Sequence, residues 1–185
     1  MNNLEKFCSI VKKRSEENAQ SIKLLYENKL YGNCIAILRQ ELDSMVRVLF
    51  LLSQPINIRE KLIKQTLNNE KWKIGKTQIK DFMLVDSVSN LHGWARNVYY
   101  FGCAFIHLSS YSNYSDEDIF NTISKTEKEV IKNFMVQYQE FPQNLDLSFE
   151  TMKPYILKIF DNKINMNLKY HIEELSKNPV STSVL

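Results

Sequence analysis

The chain has 185 residues, 44% of them hydrophobic and 24% charged, with a formal net charge of +3. That length suits one domain with a sizeable core, and four Gly with four Pro provide little turn material for an all-β fold. Purely apolar runs reach only five residues, as at residues 48–52, far short of the roughly 20 residues that cross a bilayer. The N-terminal "MNNLEKFCSIVKK" is broken by charge, unlike a secretory leader, so a cytoplasmic protein with no membrane association is expected.

In chain order, Leu4, Phe7, Val11, Ile22 and Leu25 predict a first helix over residues 4–26, its apolar face interrupted at residues 14–18. Gly32 marks a turn. A second helix then runs to about Ser53, with Ile35, Leu38, Leu42, Met45, Leu49 and Leu52 stepping by three and four along one face. Ile37, Val46, Val48 and Phe50 widen that face to the breadth of a central helix, and Pro55 stops it. Asn57 is placed to cap a third helix, "IREKLIKQTL". After the loop "NNEKWKIGK", Thr77 is placed to cap a fourth helix containing Ile79, Phe82, Met83 and Leu84.

Ser89 or Asn90 opens a fifth helix, on which the stripe Trp94, Val98, Phe101, Phe105 and Leu108 should meet the core. "SSYSNYS" reads as a loop, because its side chains compete for backbone hydrogen bonds. Ser115 and Asp118 resemble a capping box for a helix that continues through Tyr138 and ends at Phe141-Pro142. A last long helix uses Met152, Ile156, Ile159, Phe160, Ile164, Leu168, Ile172 and Leu175 on its inner side. The expected fold class is all-α, a single-domain bundle of about six or seven helices over residues 1–177, followed by a loose tail over residues 178–185.

Three cysteines, Cys8, Cys34 and Cys103, are odd in number and contain no C-x-x-C, which disfavours a disulfide framework or thiolate zinc site. His92, His107 and His171 lack close ligand spacing, so neither a metal nor another cofactor is expected. Charge is uneven: the stretch from residue 59 to residue 80 holds seven Lys and Arg against Glu60 and Glu70. Lys71, Lys73, Lys76 and Lys80 are therefore candidates for phosphate contact, with Trp72 as a stacking aromatic; the alternative is a solvated loop that Trp72 anchors to the core. Gly75-Lys76-Thr77 is only a fragment of a phosphate loop, lacking the first glycine.

On the fifth helix Arg96, Tyr100, Cys103 and His107 lie along one stripe. Arg96 and His107 share a face but stand about 16 Å apart along the axis. The second helix carries Arg39, Asp43 and Arg47 at steps of four, beside Glu41, which suggests an Arg39–Asp43 surface pair or pairing across to the fifth helix.

"YGNCIAILRQELDSMVRVLFLL" and "ARNVYYFGCAFIHLSS" resemble the paired central helices of the HEPN superfamily of helical bundles, over about a third of the chain. The resemblance implies a homodimer and metal-independent RNA cleavage by an Arg, four to six residues, and a His. Arg96-Asn97 matches the first half of that motif and His107-Leu108-Ser109 resembles the second. Ten residues intervene, and Tyr100, Phe101 and Gly102 hold the positions where the Arg belongs. Such cleavage needs a base, an acid and a cation at one phosphate, so His107 requires an Arg from elsewhere: Arg39, Arg47 or a second subunit. An RNA-binding or RNA-processing protein is the leading expectation. A non-catalytic interaction module, such as a defence or toxin-antitoxin component, and a small-molecule or nucleotide-binding bundle are the alternatives.

Overall fold

The computed structural model describes residues 1–177; the expected loose tail lies outside the described residues. Helix α1 (Asn3–Glu27) opens with a capping box in which Asn2 and Glu5 exchange hydrogen bonds. It pairs with α2 (Tyr31–Ser53), which also contacts α3 (Ile56–Leu67), α4 (Asp81–Ser87), α5 (Ala95–Ile106) and the C-terminal helical run. The breadth of the α2 apolar face has this cause: Ile35, Leu38, Leu42, Met45 and Leu49 are buried, and so are Val46 and Val48. One core cluster runs from Leu4 to Leu175. No helix among the described residues is long and apolar enough to cross a membrane.

Several boundaries differ from the sequence expectation. Pro55, rather than Asn57, precedes the first residue of α3, where its missing N–H costs nothing. Arg59, buried in α3, turns back so that its Nε donates to the Leu51 carbonyl at 2.9 Å, which satisfies the end of α2. Thr77 is not a helix cap. It lies in β2 (Thr77–Gln78), which pairs antiparallel with β1 (Lys73–Ile74). Gly75, at φ +61°, makes the two-residue turn between them, a conformation that favours glycine. Lys80 precedes α4 instead.

Helix α5 begins at Ala95, after turns around Ser89 and Gly93, and ends at Ile106. His107 is its C-cap with extended backbone, so the expected apolar stripe stops one turn early and Leu108 is 98% exposed. Ser115 caps nothing; Ser124 and Glu127 form the capping box of α6 (Lys125–Gln139), while Asp118 caps a short 3-10 turn, Ile119–Asn121. The serine-rich loop is held to α5 by its tyrosines, Tyr111 against Phe101 and Phe105, and Tyr114 against Phe105. The last helix is composite: α7 (Phe149–Met152), a 3-10 turn (Lys153–Tyr155), α8 (Ile156–Lys158), a π segment (Ile159–Asn165) and α9 (Met166–Lys177). All eight of its expected inner residues are buried.

Candidate functional site

The charged residues of α2 do not sit on a wet surface as a simple i,i+4 pair. They form an alternating ladder that joins three elements: Arg14 of α1, Asp43 and Arg47 of α2, Asp81 of α4, and Arg39 of α2. Arg47 Nε donates to both Asp43 carboxylate oxygens at 3.0 and 3.1 Å, and its Nη2 donates to Asp81 Oδ1 at 2.7 Å. Arg14 approaches Asp43 at 4.0 Å, and Arg39 Nη2 stands 3.6 Å from Asp81 Oδ2. Arg39 therefore pairs with Asp81 rather than Asp43. Three cations face two carboxylates, and the Nε atoms of Arg14 and Arg39 are buried with no hydrogen-bond partner among the described residues.

Arg39 is only 5% exposed. Its aliphatic stem packs against Gly102 of α5, and its guanidinium carbon lies 4.2 Å from the centre of the Tyr99 ring, a cation–π arrangement. Burial, followed by the neighbouring Cys103, raises the Tyr99 pKa against the opposing pull of Arg39. Arg47 lies over the Trp72 ring, 5.0 Å from its centre.

Trp72 is 3% exposed, packs near Phe50 and donates its indole N–H to Thr66 Oγ1 at 2.7 Å. Its position anchors the hairpin segment to α2 and α3, leaving base stacking without an exposed ring in this conformation. Lys71, Lys73, Lys76 and Lys80 are exposed around it, and none forms an ion pair among the described residues. Lys71 and Lys80, with Arg14 and Arg47, rim an open groove of about 610 Å³ that Trp72 floors and that Glu70 and Asp81 also line. Lys73 and Lys76 lie on the hairpin beyond that lining.

The proposed Arg–His pair of α5 is not assembled within one chain. Arg96 is exposed and held by Asp86 at 2.6 Å, a hydrogen bond that raises its pKa further. His107 is exposed at the opposite end, its backbone N–H on the Cys103 carbonyl. Arg39 crosses α5 with its stem at Gly102 and its head at Tyr99, so the head points towards the N-terminus of α5, about 12 Å of helix rise from His107. Arg47 points to the hairpin instead.

A second polar cluster, with no signature as a unit in the sequence, surrounds Glu41. Glu41, fully buried, accepts from Ser15 Oγ at 2.5 Å, from Asn18 Nδ2 at 2.8 Å and from Asn165 Nδ2 at 2.9 Å. The interruption at residues 14–18 in the α1 apolar pattern was its visible trace. Asp81, Arg14 and Tyr99 had no such local signal, because only tertiary packing brings them to Arg39. No protein-family model, curated protein or solved structure matches the chain.

Proposed function

We propose that the chain is an HEPN-like bundle that binds RNA along the groove between α1, α2 and the hairpin segment. The observation that carries this reading is the rim of Arg14, Arg47, Lys71 and Lys80 around one open groove. Cations that displace the counterions of successive phosphates give sequence-independent affinity, and Lys71 and Lys80 form no ion pair among the described residues that would compete with a phosphate. Lys73 and Lys76 extend the positive surface beyond the rim.

In the same proposal the protein works as a homodimer. Ile106 and Leu108, 50% and 98% exposed, flank His107, and pairing through them would bury apolar surface and bring two copies of His107 together. An imidazole can act as acid or base near neutral pH, with the cation supplied by the second subunit. Binding of a single-stranded RNA, followed across salt concentration, tests the first claim: affinity falls steeply with salt, and K71Q/K80Q flattens the fall. A gel assay of H107A tests the second; equal cleavage by H107A and wild type, or none by either, removes His107 from catalysis. Salt-independent or absent RNA binding would favour the interaction-module reading, which the exposed Tyr100, Ile106 and Leu108 also suit.

A further inference from the structure

The arginine ladder has an incomplete anion complement. Among the described residues, Asp43 and Asp81 answer only two of the three guanidinium charges, and two buried Nε–H groups, on Arg14 and Arg39, have no acceptor. Buried donors are almost always satisfied, so each orphan leaves an acceptor wanting at its own guanidinium, Arg14 beside Asp43 and Arg39 beside Asp81. Asp43 is mostly covered, with 16% of its side chain exposed, and is fixed by two hydrogen bonds from Arg47. Asp81 is different: 46% of its side chain is exposed, it lines the groove, and its ion pairs are with Arg39 and Arg47.

We propose that Arg14, Arg39 and Arg47 form a receptor for a phosphomonoester, and that the Asp81 carboxylate is its displaceable resident. Charge selects the ligand class. With Asp81 turned out to solvent, Asp43 and a dianionic phosphate together balance the three arginines, whereas a singly charged phosphodiester only repeats what Asp81 supplies. A phosphate also brings more acceptor oxygens than a carboxylate and matches the planar guanidinium fork. Arg14, Arg47 and Asp81 line the groove, and the buried Arg39 is met at the Asp81 position, so the terminal phosphate of an RNA, a nucleotide phosphate and orthophosphate all present the required group.

Isothermal titration calorimetry with inorganic phosphate, in chloride buffer, provides the test on wild-type protein and D81N. The amide keeps the shape of Asp81 but removes its charge, and phosphate affinity should rise at least tenfold. R39Q/D81N should lose that gain; if circular dichroism shows R39Q/D81N unfolded, R14Q/D81N replaces it, since Arg14 is 40% exposed. Equal phosphate affinity in wild type and D81N, or a gain that survives removal of the arginine, overturns the proposal. A D81N preference for 5′-phosphorylated over 5′-hydroxyl RNA assigns the phosphate to a chain end. Equal RNA binding with tighter orthophosphate binding assigns it to a free or nucleotide phosphate, and either result supports the receptor. Loss of salt-dependent RNA binding with the phosphate response intact defeats only the RNA reading, while the reverse result defeats only this inference.

Discussion

At Gly102 one hydrogen atom sets how closely α5 approaches α2. A methyl group there would stand 2.7 Å from Arg39 Cβ and 3.1 Å from its Cγ, and Arg39 Cβ is fixed to the α2 backbone. An exposed helical Gly→Ala change gains about 1 kcal/mol in helix propensity, but overpacking a closed interface costs about 1–3 kcal/mol. The overpacking wins here because the contacted atom is not the free end of a flexible chain. G102A should lower stability by about 1–2 kcal/mol in urea denaturation, and an increase would mean that the helices separate freely. At this scale the sequence showed the α2 spacing of Arg39, Asp43 and Arg47, but not their partners. Asp81 is 34 positions from Arg47, and no local pattern announces a contact across that distance.

Among the elements, α2 was the most legible, because its apolar steps directly record the neighbours that surround it. The end of α5 was less so: the apolar residues continue past Ile106, but the backbone becomes extended at His107. The C-terminal run explains another irregularity. Phe160, Ile164, Leu168 and Ile172 repeat at steps of four, which overrun a 3.6-residue period, and the wider turns of the π segment take up part of the drift. They also place Asn165, 5% exposed, against Ser15 and Glu41. The Glu41 network thereby fixes α1, α2 and the π segment in one register. E41A would leave three donors unsatisfied and a cavity in the core, so it should cost about 3 kcal/mol or more by urea denaturation at pH 7. S15A, which removes one hydroxyl, should cost only about 1 kcal/mol. Equal losses would show that the network does not centre on Glu41.

For the whole molecule, the turn before α5 is tied to α9 by His92 and His171, whose rings lie 6.0 Å apart and nearly perpendicular. Burial, and then the charge of His171, lowers the His92 pKa; burial lowers that of His171 against an opposing pull from Glu174. Both rings are thus held neutral below the ordinary value of 6.5. The unfolded chain takes up protons first as pH falls, so this contribution to stability is complete above about pH 6.5 and is lost progressively below it. Each proton of difference changes stability by about 1.4 kcal/mol per pH unit. Urea midpoints should therefore fall from pH 7 to pH 5.5 in the wild type and fall less in H92Q/H171Q; parallel curves would remove the pair from the acid response.

The proposed RNA binding depends on the cationic groove. The most direct measurement is fluorescence anisotropy of a labelled single-stranded RNA at a series of salt concentrations, with wild type and K71Q/K80Q compared. Each phosphate contact contributes about 0.7 to the slope of log affinity against log salt, so the double variant should lose up to about 1.4 of the wild-type slope. Identical slopes in the two proteins, or wild-type affinity indifferent to salt, would contradict RNA binding by this groove.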